Sequence, residues 1–257
     1  MDLEVIPLIS ERKEGQFDIS GVLEEIFVKN RLQIQESDVL VISTKFVSNS
    51  QGRMIELDKV RTAKDGQRIA VKFKMRTEFA EVVVRESETI FGGIPGFIIT
   101  SSENIMAPNA GIDKSNTKKG KAILYPKDPY LVAEQIRRKI FLKYQIHVGV
   151  ILIDSRLMPA RVGTTGVAIS CAGIKPVLDI RSQKDLDGNP LKVTFQATAD
   201  SLATIANYKM GEGAESKPVV IIRNSGAELT DNKISPKEMT ISYEQCVYVR
   251  GLANLLN

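Results

Sequence analysis

Three segments carry acidic residues beside small polar ones: Asp113 with Ser115 and Asn116, Asp154 with Ser155, and Glu212 between Gly211 and Gly213. Hard cations such as Mg2+ and Mn2+ take oxygen ligands, commonly one or two carboxylates together with waters and phosphate oxygens. Glycine neighbours let backbone N–H groups approach a phosphate. The pattern reads as metal-assisted phosphate chemistry, with the Met210 to Gly213 turn as part of the site. The competing reading is local: Asp and Asn favour turns because their side chains bond their own backbone, and Glu212 is then a solvated surface acid.

The standard phosphate motifs do not fit. Gly120-Lys121 is followed by Ala122, and Ser115 stands where the first glycine of a P-loop belongs. Gly211-x-Gly213 has Ser216 at the third glycine position and does not lie between a strand and a helix, so the dinucleotide fingerprint fails as well. The single histidine, His147, poorly serves a His pair or a Ser/His/Asp triad, and it opens an apolar run, which reads as structural. Any nucleotide site here is unorthodox.

Two apolar runs must position these groups. Asp38 to Ser43 and Val148 to Ile153 read as strands buried on both faces, each ending in polar residues: Thr44 to Ser50 as a polar turn, and Asp154-Ser155-Arg156. The carboxyl ends of such strands are where α/β proteins bind ligands. Around them, Leu3 to Leu8 reads as a strand, Ser20 as the cap of a helix to about Leu32, and Leu57 to Glu88 as helix-compatible. Gly92 to Gly96 and Asn109 to Asn116 form shaped loops, and Asp128-Pro129 starts a helix to about Tyr144. Further on, Leu191 to Ala197 alternates like a half-buried strand, Asp200 can cap a helix from Ser201 to Lys209, Val219 to Ile222 reads as a strand, and Tyr243 to Leu255 as a closing helix.

The chain has 257 residues, 43% of them hydrophobic, enough for a sizeable core in one large or two small domains. No apolar run approaches the roughly 20 residues of a membrane span, and the start Met1-Asp2-Leu3-Glu4 lacks signal-peptide features, so the expectation is an unexported, cytoplasmic protein without a membrane partner. The formal charge of +4 is too small and dispersed for a nucleic-acid footprint. Local basic runs, Lys114 to Lys121 and Arg137-Arg138-Lys139, read as solvated faces or as attraction for a polyanionic small substrate. Cys171 and Cys246 lack metal or disulfide spacing and read as buried apolar thiols.

Asn109-Ala-Gly-Ile-Asp113-Lys-Ser-Asn116 resembles the NAGID-x-SN signature of the coenzyme F420-0:L-glutamate ligases. The likeness extends through Asp38 to Lys45 with Ser48 and Gly52-Arg53, Asp128-Pro129, Val148 to Ser155, Ala172-Gly173-Ile174, Lys184-Asp185 and Met210 to Gly213, in family order from about Leu3 to Arg223. It implies a mixed α/β (α+β) fold with mixed and antiparallel sheets, flanking helices and two intertwined subdomains in one domain. It also implies a homodimer, with GTP, F420-0 and L-glutamate as substrates and Mg2+ or Mn2+ at up to two sites, with K+ as a further cation. By that resemblance Asp113 and Asp154 hold one metal, and Ser155 and Glu212 a second. Thr44, Lys45, Asn116, Met210, Gly211, Glu212 and Gly213 touch nucleotide, and Arg161 joins the two aspartates as a catalytic residue contacting phosphate or carboxylate.

This sequence departs from the family pattern at Asn49, where a lysine is usual, and at Leu157-Met158, where Gly-Arg is usual. The departures leave open a paralogous ligase for another carboxylated or phosphorylated cofactor, a non-catalytic nucleotide-binding homologue, and a metal-dependent hydrolase. The turn after the first strand has two placements, Ile6-Pro7-Leu8-Ile9 or Ser10 to Lys13.

Overall fold

The chain opens with strand β1 (Glu4–Leu8), helix α1 (Ile19–Lys29), strand β2 (Val39–Ser43) and helix α2 (Thr44–Ser50), in a computed structural model that describes residues 2–13, 15–102 and 105–253. An insertion follows: β3 (Met54–Glu56), α3 (Lys64–Lys72), α4 (Thr77–Glu86), the meander β4 (Thr89–Ile94), β5 (Phe97–Ser102) and β6 (Ile105–Pro108), and β7 (Lys121–Ile123). The chain returns through α5 (Pro129–Tyr144), β8 (Gly149–Leu157), β9 (Thr164–Ala172), the short pair β10 (Val177–Asp179) and β11 (Phe195–Ala197), α6 (Thr198–Met210), β12 (Val219–Arg223) and α7 (Val247–Ala253). The fold is mixed α/β, as the sequence leads one to expect.

The central sheet has the order β1-β12-β2-β8-β9, with β2 and β8 parallel and every other pair antiparallel. Alternation along each strand fills two cores. Leu40 and Ile42 of β2 join Val150 and Leu152 of β8 against α1 and α5 on one face. Val39, Val41, Ile151 and Ile153 point the other way, toward Leu202, Ala203 and Ala206 of α6. All of these residues are buried, and each large aliphatic side chain contributes roughly 1.5–3 kcal/mol of transfer free energy. Residues 54–124 build a third core of their own around Phe79, Val83, Ile98 and Ile112.

Several elements differ from the sequence reading. Thr44 to Ser50 is a helix, not a turn, because Phe46 and Val47 pack into the core beneath the sheet and tertiary burial outweighs local propensity. β8 runs on through Asp154-Ser155-Arg156 instead of ending before them, since β9 pairs with it as far as Leu157↔Thr164. Leu57 to Glu88 splits into α3 and α4 around Lys74, whose φ of 49° breaks the helix. The α1 cap is Asp18, whose carboxylate accepts from Ser20 and Gly21 N–H, and not Ser20.

Asp200 lies inside the first turn of α6 and accepts from Ala168 N–H at 2.9 Å instead of capping the helix. Leu191 to Ala197 forms a strand only at Phe195–Ala197, since Val193 and Phe195 meet no core and alternation without burial does not hold a strand. The closing helix starts at Val247 and not at Tyr243, and its predicted end at Leu255 lies outside the described residues. Cys171 is buried as expected, whereas Cys246 is only partly so. Among the described residues no helix is long and apolar enough to cross a membrane.

One ion pair ties the sheet's far edge. Asp38 is fully buried and both its oxygens accept from Arg223, Oδ1 from Nε and Oδ2 from Nη2, each at 2.9 Å. Removing one partner of such a pair strands a buried charge. Arg223→Met is expected to lower unfolding free energy by about 3 kcal/mol, checked by urea denaturation. Burial also pushes the Cys171 thiol up to about 12. Since the thiolate is the reactive form, alkylation of the native protein at pH 8 should modify Cys246 alone, counted by intact mass, with Cys171 reacting only after denaturation.

Candidate functional site

The parallel pairing of β2 with β8 sets Ser43 opposite Ile153, so both strands deliver their carboxyl ends to one edge of the sheet. β12 runs antiparallel to β2 and starts at that edge, and β1, antiparallel to β12, ends there. Four segments therefore converge: Ser10 to Lys13, Ser43 to Asn49, Asp154 to Arg156, and Met210 to Pro218. The insertion contributes Gly111 to Lys121 as the facing wall, and the walls enclose a cleft of about 710 Å³. Pro7 pairs with Val220 inside β1, so the turn that follows the first strand is Ser10 to Lys13, on the cleft.

Asp113 is aimed by a turn of three consecutive left-handed residues, Asn109 (φ 50°), Ala110 (φ 57°) and Gly111 (φ 68°). Asn109 anchors it: its Oδ1 accepts from Ile98 N–H at 3.0 Å. Thr100 Oγ1 accepts from Ala110 N–H at 2.9 Å. Gly111 is required by contact as well as by φ, because a Cβ there would lie 2.5 Å from the Tyr125 ring. Asp113 then exchanges backbone hydrogen bonds with Ile123 of β7 at 2.8 and 3.0 Å. Its carboxylate accepts from Ser115 N–H at 2.6 Å, so the local-turn reading is realised too. The same carboxylate pairs with Lys45 Nζ at 2.5 Å, and that ammonium also donates to Ser115 Oγ at 2.8 Å.

Asp154 and Arg156 are two apart on β8 and share a face, whereas Ser155 points to the other. Arg156 Nη1 lies 3.0 Å from Asp154 Oδ2, and Nη2 donates to Tyr125 Oη at 2.8 Å. Burial pushes the Asp154 carboxyl above the usual carboxylate range. Arg156 opposes that shift, Asp113 adds to it, and hydrogen bonds from Ser155 N–H and the Thr44 hydroxyl oppose it. Thr44 thus serves Asp154 and is itself buried, outside the cleft lining.

The third wall is the turn after α6. Gly211 (φ 78°) ends the helix, Met210 is buried beneath it, and Gly211, Glu212 and Gly213 all line the cleft. Glu212 Oε1 accepts from Asn207 Nδ2 at 2.8 Å and from Thr164 Oγ1 at 3.1 Å. Glu215 folds back so that its carboxylate accepts from Gly213 N–H at 2.8 Å, an internal anion on the backbone donors that a phosphate would use. Asn116 Nδ2 donates to Gly213 O at 3.1 Å and joins the two walls.

The structure brings Asp113, Asp154, Ser155, Lys45, Asn116, Met210, Gly211, Glu212 and Gly213 to one cleft. It does not bring Arg161, which is exposed in the β8–β9 turn. Leu157 and Met158 lie at that turn as well, exposed and off the cleft, while Asn49 lines it. His147 lies before β8, at the opposite edge, with its ring against Phe141 at 4.9 Å and Nδ1 3.3 Å from Glu36. Arg156 and Tyr125 are the residues missed by reading the sequence. For Arg156 the signal was available, since period two from Asp154 marks it as inward-facing.

Among the described residues no three His, Cys, Asp or Glu side chains gather closely enough to hold a cation by themselves. The donor set still fits a hard cation: two carboxylates on facing walls, with the Lys45 ammonium standing against Asp113 as an intramolecular stand-in.

Residues 7–224 match the family model described as F420-0:Gamma-glutamyl ligase. The chain belongs to that family. It is 34% identical over 228 residues to the coenzyme F420:L-glutamate ligase of Methanopyrus kandleri, covering 88% of each chain. The ligase of the same description from Methanocaldococcus jannaschii is 38% identical over 210 residues, 80% of this chain and 84% of its own. That of Methanococcus maripaludis is 36% identical over 245 residues, 95% and 94%. The F420-0:gamma-glutamyl ligase region takes in every cleft segment, from Pro7 in β1 to Asn224 just past β12.

Gly111→Ala is expected to destabilise the fold by about 2 kcal/mol or more, from the left-handed φ and the overlap with Tyr125. Thermal unfolding beside a Gly226→Ala control checks this, because Gly226 has a similar φ of 69° but open space around its Cβ position.

Proposed function

We propose that this chain is a GTP- and divalent-cation-dependent ligase that joins L-glutamate to F420-0 in coenzyme F420 biosynthesis. The observation that carries the reading is the meeting of Asp113 and Asp154 with Lys45 at the carboxyl ends of β2 and β8, inside the family region. Amide formation from a free carboxylate is uphill in water, so a nucleotide must drive it. In this reading a carboxylate oxygen of F420-0 attacks the γ-phosphorus of GTP and GDP leaves, giving an acyl phosphate. The glutamate amine then attacks the acyl carbon, phosphate leaves, and the nitrogen loses a proton.

Such chemistry needs positioning and charge neutralisation more than a nucleophilic side chain, which suits a cleft without histidine. Asp113 and Asp154 would hold a divalent cation, with Ser155 and Glu212 as the expected ligands of a second. A bound cation supplies charge neutralisation across the phosphate oxygens. Lys45, released from Asp113, offers its ammonium to phosphate. The Gly211 to Gly213 backbone offers N–H donors once Glu215 swings away. Arg12, Lys13, Lys118 and Lys121 line the cleft and attract a polyanionic substrate. The implied homodimer belongs to the same reading and is checked by sedimentation equilibrium.

The test is incubation with GTP, Mn2+, L-glutamate and F420-0, following product mass beside phosphate release. A glutamate-dependent mass gain matched by phosphate supports the ligase. Phosphate release without that gain points to a hydrolase or a paralogue with another acceptor, and nucleotide binding without turnover to a non-catalytic homologue. Asp154→Asn should cut turnover by more than about 100-fold with an unchanged circular dichroism spectrum, and undiminished activity would sink the assignment. Lys45→Met should raise the KM for GTP more than it changes the fold.

A further inference from the structure

Glu212 is an exposed acid set between two glycines, where a side chain ordinarily rotates freely in water. In this chain it is held. Its Oε1 accepts from donors on two different elements, Asn207 Nδ2 of α6 at 2.8 Å and Thr164 Oγ1 at the start of β9 at 3.1 Å. A carboxylate oxygen has two lone pairs, so both of those on Oε1 are taken. Oε2 accepts from none of the described residues, and Glu212 lines the cleft.

Stability gives no reason for this clasp. Fixing a solvated glutamate costs rotamer freedom, the net gain from each hydrogen bond is modest, and asparagine is a poor helix former for the last turn of α6. The packing nevertheless favours it. Gly166 of β9 faces α6 so closely that a Cβ there would lie 2.5 Å from both Ala203 O and Asn207 Cβ, and Thr204 Oγ1 donates to Gly166 O at 2.8 Å. That contact sets Asn207 beside the start of β9. Asn207 O also accepts from Gly211 N–H at 3.0 Å, so one residue ends the helix through its backbone and holds Glu212 through its side chain.

Ser155 stands on the same side of the sheet. It is the cross-strand partner of Gly166 and lies two residues beyond Ile153, whose side chain packs toward α6. Ser155 and Glu212, the ligands expected for a second cation, thus share the α6 side of the cleft, while Asp154 is turned to the other side with Arg156.

We propose that Asn207 and Thr164 are positioning residues that restrict Glu212 to ligation through Oε2 alone, and that this restriction selects Mg2+ or Mn2+ over Ca2+ at the second cation position. The inference rests on the two-cation reading given above and deepens it. Mg2+ and Mn2+ accept a single carboxylate oxygen in an octahedral shell completed by waters and phosphate. Ca2+ takes a larger shell of roughly six to eight oxygens and fills it readily with carboxylates bound through both oxygens.

The experiment titrates Mn2+ into the full chain with a non-hydrolysable GTP analogue present, reads free Mn2+ by electron paramagnetic resonance, and then displaces bound Mn2+ with Ca2+. The wild type is expected to bind two Mn2+ per chain, and Glu212→Gln to lose one of them, which identifies the site. At that site Asn207→Leu and Thr164→Val, each similar in shape to the residue replaced, should lower the Mn2+ to Ca2+ affinity ratio by about tenfold, with the other site unchanged. Thr164→Ser keeps the hydroxyl and should retain the wild-type ratio. Because Asn207 and Thr164 lie on different elements, either variant decides the matter if circular dichroism shows the other to be misfolded. A wild-type ratio in the folded variants, or an equal loss of both cations, would overturn the inference, as would a Glu212→Gln chain that keeps both Mn2+. A wild type that binds a single Mn2+ overturns this inference and leaves the ligase reading standing. One that binds neither Mn2+ nor the analogue overturns both.

Discussion

The parallel register of β2 against β8 is the constraint on which the rest depends. Ser43 stands opposite Ile153, and from that pair onward both strands run out of apolar residues together. Because β12 and β1 alternate in direction beside them, the two remaining segments are brought to the same edge by strand geometry, without any long loop. An α/β sheet binds ligands outside the carboxyl ends of its parallel strands because backbone groups there lack further strand partners and side chains can converge. Here that edge is short, one parallel pair wide, and the insertion of residues 54–124 closes it from the other side.

Bringing Asp113 and Asp154 into one cleft has an electrostatic cost that the fold answers locally. Each carboxylate has its own cation, Lys45 for Asp113 and Arg156 for Asp154. Burial and the neighbouring acid still hold Asp154 above the ordinary carboxylate range. Close like charges in a partly desolvated cleft favour protonation or an added cation, so the arrangement is most comfortable when something positive joins it. The two basic partners differ in kind. Lys45 is a long, flexible ammonium that can change partners, while Arg156 is buried and fastened to Tyr125.

The Gly111 turn shows how one backbone feature can serve both walls. Three successive positive φ values reverse the chain so that Asp113 faces the cleft, and the missing Cβ admits the Tyr125 ring. Glu215 plays a comparable part opposite, occupying the Gly213 N–H. Both are intramolecular arrangements that satisfy donors and acceptors within the chain, as buried or semi-buried polar groups require.

Much of this was legible in residue types and spacing. The apolar runs of β2 and β8 announced strands buried on both faces, and they are; the acids set beside small polar residues announced a site, and Asp113, Asp154 and Glu212 do line one cleft. What sequence alone determines is the set of local preferences: periodicity, turn chemistry at Asn109 to Asn116, and the family likeness. Tertiary structure decided the rest, because burial and pairing are long-range. It made Thr44 to Ser50 a helix by packing Phe46 and Val47, carried β8 through Arg156 by pairing it with β9, and left Arg161 outside on the β8–β9 turn. Arg156 and Tyr125 are 31 residues apart, and their contact exists only where β8 and the chain leaving β7 meet at one edge.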